Sequence, residues 1–138
     1  MRTITLIILH CSATRINKRY TADDCKRDHL KRPGFKDIGY HFYIEQDGTV
    51  KTGRPIEKEG AHCKNHNHHS IGICLEGGLD EHGQTADTRT GGQVIALMDL
   101  LSQLKEQFPH ALIVGHHELN PDKECPCFDV GEYRELFP

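Results

Sequence analysis

Two short apolar runs near opposite ends of the chain each break into histidine, and that pairing limits what the chain can become. Leu6-Ile7-Ile8-Leu9 leads straight into His10-Cys11-Ser12, and Ala111-Leu112-Ile113-Val114 passes through Gly115 into His116-His117-Glu118. Apolar, β-branched runs of this length ahead of a turn read as buried strands. Polar groups directly after them stand at the strands' carboxyl ends, where open α/β sheets gather their ligand sites. Two buried strands that each end in histidine point to one site assembled from both ends of the sequence.

The sequence between them predicts an α/β domain, a central mixed sheet flanked by helices. A strand over 3–9 is followed by a helix that Thr21 caps, with Asp23 and Asp24 in its first turn and Pro33-Gly34 at its end. Residues 39–46 alternate, with Tyr40, Phe42 and Ile44 on one face and His41, Tyr43 and Glu45 on the other. Asp47-Gly48 makes a hairpin turn, and 49–52 return. A polar, histidine-rich loop over 60–70 leads into a strand over 70–75, and 79–89 read as loop. Thr90-Gly91-Gly92-Gln93 is a capping box, and Val94, Leu97, Met98, Leu101 and Leu104 follow at helical spacing as a packing stripe. A strand over 111–114 and a short helix capped by Asp129 complete the order. No repeat or linker divides the 138 residues, so one domain spanning 1–138 is expected.

Composition narrows the function classes. A net charge of −3 gives no reason to expect nucleic acid or an anionic membrane surface as partner. Eleven histidines are an excess that favours a metal or acid–base site, because imidazole titrates near neutrality and is the commonest metal ligand. Six cysteines allow three disulfides, but a chain of this length and patterning has no need of them. The first apolar run is too short for a signal peptide and lacks a small-residue cleavage site, so synthesis in the cytoplasm is expected, with delivery by another system. No run approaches the ~18 apolar residues of a membrane span. With no heptad seam, a monomer is expected.

His10, His116 and Cys125 are the candidate metal ligands. Two imidazoles and a thiolate suit zinc, and three protein ligands leave the fourth tetrahedral position for water. A zinc-held water ionises near neutrality. Cys127 competes with Cys125 from spacing alone, and no compact motif of the His-Glu-x-x-His type is present. His117 would point away from His116 along an extended segment and reads as structural support.

Five motifs in order carry a resemblance. They are His10-Cys11-Ser12-Ala13-Thr14, Asp37-Ile38-Gly39-Tyr40-His41-Phe42, Asp47-Gly48-Thr49-Val50, His68-His69-Ser70-Ile71-Gly72-Ile73-Cys74-Leu75, and Gly115-His116-His117-Glu118 through Cys125-Pro126-Cys127-Phe128-Asp129. Together they resemble the zinc-dependent N-acetylmuramoyl-L-alanine amidases, most of all the short amidase-type bacteriophage lysozymes, whose fold is shared with peptidoglycan-recognition proteins. The resemblance spans about residues 4 to 130. It implies zinc on His10, His116 and Cys125, a catalytic tyrosine and lysine at Tyr40 and Lys123, and a substrate-groove histidine at His62. The loop from His116 to Cys125 is one residue longer than in the phage enzymes, with Lys123 still two residues ahead of Cys125.

The function so implied is hydrolysis of the amide joining N-acetylmuramic acid to L-alanine in bacterial peptidoglycan. Lys123 would steady the oxyanion, and Tyr40 would position or deprotonate the water or donate a hydrogen bond. The alternative is a binding module, since relatives with this fold recognise peptidoglycan without cutting it; retention of Cys125 favours the enzyme. Some phage members also restrain their phage's RNA polymerase through residues ahead of the first strand, and that role is not expected here because the strand starts almost at once.

Overall fold

Over residues 2–138, which the computed structural model describes, the chain runs through seven strands and four α-helices. In order they are β1 (Leu6–Cys11), β2 (Thr14–Arg15), α1 (Ala22–Leu30), β3 (Phe42–Ile44), β4 (Val50–Thr52), β5 (Ser70–Leu75), β6 (Gly78–Leu79), α2 (Gly91–Gln107), β7 (Leu112–Gly115), α3 (His116–Leu119) and α4 (Gly131–Leu136). Five strands form one mixed sheet in the order β4-β3-β5-β1-β7. β3, β5, β1 and β7 are parallel, and β4 returns antiparallel to β3 through the Asp47-Gly48 turn. Gly48 has φ +91°, a conformation that a side chain disfavours.

Alternation sorts the strand side chains into two layers. Ile7, Leu9, Ile71, Ile73, Leu75 and Ile113 join Leu97, Leu101 and Leu104 of α2 in the main core. Each such side chain contributes about 1.5–3 kcal/mol through burial. The opposite layer is smaller and more polar. There Ile8 and Val114 pack with Cys63, and Tyr43 and Cys74 pack with Cys25 of α1.

Both long helices begin as their sequences predict. Thr21 Oγ1 accepts from the Asp24 backbone N–H and Asp24 returns the bond to the Thr21 N–H. Thr90 and Gln93 form the same reciprocal pair. The Gln93 amide then donates to the carbonyls of Ile44 and Glu76, which ties the start of α2 to the ends of β3 and β5. Leu97, Leu101 and Leu104 of the expected stripe are buried, together with Leu100, whereas Val94 is 38% exposed at the stripe's margin.

Four local expectations shift. The first strand covers Leu6–Cys11 rather than 3–9, because its pairing with β5 continues through His10↔Cys74 and Cys11↔Leu75. The strand predicted over 39–46 is regular only at Phe42–Ile44; Tyr40 and His41 still make backbone bonds, to Arg54, Gly53 and Gly72, outside a regular ladder. The close approach of Gly39 to the Ala61 carbonyl, 2.3 Å from where a Cβ would stand, goes with that departure. Residues 14–15 and 78–79 pair as a second two-stranded sheet, which no alternation announces in such short segments. His116 and His117 begin a single helical turn rather than an extended segment, closed by the Glu118 carboxylate accepting from the Gly115 N–H at 2.8 Å.

Candidate metal centre

Sheet register builds the site. Leu9 on β1 stands opposite Gly115 on β7, so the next residues of the two strands, His10 and His116, emerge side by side. Their rings lie 4.6 Å apart between centroids. The loop after α3 then folds back. The His117 backbone N–H donates to the Cys125 carbonyl at 2.8 Å, and the His117 ring Nδ1 lies 3.1 Å from the same oxygen. Arg89, paired with Asp87 and Glu132, lies over the Phe128 ring at 4.0 Å and holds the far end of the loop.

One candidate ligand atom from each of His10, His116 and Cys125 lies within 4.8 Å of the others. The Cys11 backbone N–H donates to the Cys125 sulfur at 3.0 Å, which fixes that sulfur beside the end of β1. Cys127 instead meets Cys11, sulfur to sulfur at 3.9 Å, with its backbone in the left-handed region at φ +70°. The Cys11 thiol is pushed up to about 12, chiefly by its hydrogen bonding to Cys125, and Cys127 is raised chiefly by its bond to Cys11.

His10 is buried, while His116 and Cys125 are half-buried. Burial holds the His10 imidazole well below its usual range, with His62 and His116 adding to the effect. His116 is lowered by burial and then by the positive charge of Lys123. Neutral imidazoles keep a lone pair for an ion, so this donor set fits a metal of zinc's type: two nitrogens and one sulfur at the rim of a rigid sheet.

The remaining predicted residues gather around the cluster to different degrees. The Tyr40 ring lies 5.2 Å from that of His10, and burial, followed by the neighbouring thiols, pushes its phenol well above the usual range. A phenol so raised keeps its proton at neutral pH. Lys123 is exposed on the loop ahead of Cys125, and its charge reaches His116. His62 is half-buried, and both of its ring nitrogens are engaged within the protein, Nδ1 with His10 at 2.8 Å and Nε2 with Ser70 Oγ at 3.2 Å. His117 supports the loop as the sequence suggested, by its clasp on Cys125, whereas the backbone contact from Cys11 and the His10–His62 bond were missed. Only the adjacency in His10-Cys11 hinted at the first of these.

An α/β sheet that brings two neutral imidazoles and a thiol together at adjacent strand ends defines a candidate metal-site protein. More narrowly, the chain belongs to the N-acetylmuramoyl-L-alanine amidase family, whose model matches residues 1–128. It is 40% identical over 129 residues to the endolysin of Klebsiella phage KP32, covering 94% of this chain and 84% of that protein. Among solved structures it is similar to the N-acetylmuramoyl-L-alanine amidase LysC from Clostridium intestinale, with TM-score 0.83, 28% identity, and 98% of this chain and 85% of that one covered. A Drosophila PGRP-LB mutant in complex with tracheal cytotoxin is also similar, with TM-score 0.74, 26% identity, and coverage of 91% and 76%. The family and the fold class are those expected from the sequence motifs.

Proposed function

We propose that this chain, acting as a single-domain monomer, hydrolyses the amide between N-acetylmuramic acid and L-alanine in peptidoglycan with the help of a zinc ion on His10, His116 and Cys125. The amidase activity and the peptidoglycan substrate follow from membership of the family and from endolysin relatives. The observation that carries the zinc reading is the convergence of the three ligand atoms within 4.8 Å. Zinc there supplies Lewis acidity and lowers the pKa of water to about 7.

The chain's own groups then divide the work. His10, in the sheet, and His116 and Cys125, at the loop's two ends, hold the ion. Lys123, exposed on that loop, neutralises the oxyanion that forms when the amide carbonyl becomes tetrahedral. Tyr40, held protonated by burial, donates a hydrogen bond to the same developing charge. His62, only half-buried, borders the substrate groove through its ring edge. No helix among the described residues is long and apolar enough to cross a membrane, and the wall substrate lies beyond one. A separate delivery route, after synthesis in the cytoplasm, accords with the endolysin relatives.

The test is digestion of purified peptidoglycan by zinc-loaded protein, with products read by mass spectrometry with and without a chelator. Chelator-sensitive release of stem peptides with a free L-alanine amino group is expected. Intact material, pulled down with zinc-loaded protein, would overturn hydrolysis in favour of a binding module.

A further inference from the structure

His10 has one ring nitrogen already engaged. Its Nε2 lies 2.8 Å from His62 Nδ1, so by elimination Nδ1 is the nitrogen it can offer beside His116 and Cys125. His62 passes the chain on, since its Nε2 lies 3.2 Å from Oγ of the fully buried Ser70. A hydrogen-bonded row of this kind has two polarities. In one, Ser70 donates to His62, His62 donates to His10, and the His10 proton sits on Nδ1, where it blocks metal binding. In the other, His10 Nε2–H donates to His62, His62 Nε2–H donates to Ser70, and His10 Nδ1 keeps its lone pair. Only the second makes His10 a ligand.

The surroundings fix both the backbone and the ring of His62. The backbone N–H groups of His62 and Cys63 both donate to Asn67 Oδ1, at 2.9 and 3.0 Å. The ring lies on Gly72 of β5, where a Cβ would come within 2.6 Å of His62 Cγ. It meets the His10 ring edge-on, at 89° and 4.9 Å. Gly72 and Ser70 thus meet the imidazole itself, while Asn67 fixes the backbone that carries it.

We infer that His62 is a positioning residue for the metal centre: accepting from His10 Nε2–H, it selects the tautomer that presents Nδ1 to the ion, with Ser70 as the far end of the row. This rests on the proposed zinc site and gives His62 a task beyond bordering the groove. Partners of this kind orient metal-bound imidazoles, and their loss typically weakens metal affinity about 10–100-fold.

The test measures zinc affinity of metal-stripped proteins by competition with a chromophoric chelator, alongside the visible spectrum of the cobalt-substituted forms. His62→Leu is expected to weaken zinc by about 10–100-fold and to alter the cobalt spectrum. His62→Asn, whose Oδ1 can stand where Nδ1 stood, should recover most of the affinity, and Ser70→Ala should show a smaller loss. Should the leucine variant fail to fold, His62→Gln, whose longer amide reaches Ser70 rather than His10, takes its place. Folded Leu or Gln variants that bind zinc as tightly as wild type overturn the inference alone. Wild-type protein that binds no zinc, or His116→Ala protein that binds it undiminished, overturns the metal reading and this inference with it.

Discussion

The two layers of the sheet are made by the same strands and differ in almost everything else. On the α2 side, Ile7, Leu9, Ile71, Ile73 and Leu75 meet a leucine stripe and nothing polar is required of them. On the other side, Ile8 gives way to His10, while Gly72 and Cys74 alternate with Ile71, Ile73 and Leu75 along β5, and the histidines and thiols gather there. The first layer supplies stability without asking for an orientation, since burial energy is non-directional. The second is held by directed bonds: Cys11 to Cys125, His117 to Cys125, His10 to His62 and on to Ser70. One residue of offset along a strand separates a side chain that holds the fold from one that holds the chemistry.

The sharpest way to break this contrast is to strike each layer and read both properties. His116→Ala should give the largest effect, with loss of zinc and of peptidoglycan cleavage together while the metal-free protein still folds. Metal analysis and product release check it, and wild-type cleavage by zinc-free variant protein would end the metal assignment. Ile73→Ala, in the apolar layer, should cost about 2–5 kcal/mol in urea unfolding and leave zinc affinity of the folded protein unchanged. A matching loss of affinity would mean that the layers are coupled. Lys123→Ala should keep zinc and lower kcat about a hundredfold, as removal of one oxyanion donor does; an unaltered kcat would remove Lys123 from the reaction. The smallest effect is expected from Cys127→Ser, with stability moved by less than about 1 kcal/mol and zinc retained. Loss of zinc in that variant would transfer the ligand role from Cys125 to its neighbour.

Much of this is legible in the sequence alone. The capping boxes at Thr21 and Thr90, the leucine stripe of α2, the Asp47-Gly48 turn and the strand over 70–75 follow from spacings of a few residues, and local periodicity carries them reliably. The short sheet of β2 and β6 and the helical turn at His116 were not legible. Two-residue strands have no period to detect, and the turn at His116 depends on Glu118 reaching back to Gly115. Spacing also left Cys125 and Cys127 equivalent, two residues apart on one loop. The fold separates them by turning the Cys127 sulfur toward Cys11 and the Cys125 sulfur toward the imidazoles.

What the sequence determined by itself was the inventory: two buried strands ending in histidine, the helices between them, and an ordered set of motifs sufficient to recognise the family. Only the tertiary structure decided the register that stands His10 beside His116, the sulfur that joins them, and the nitrogen of His10 left free once His62 has taken the other. Periodicity and capping act over a few residues and are written along the chain. Register and hydrogen-bond polarity arise between residues far apart in sequence, and exist only once the sheet has closed around them.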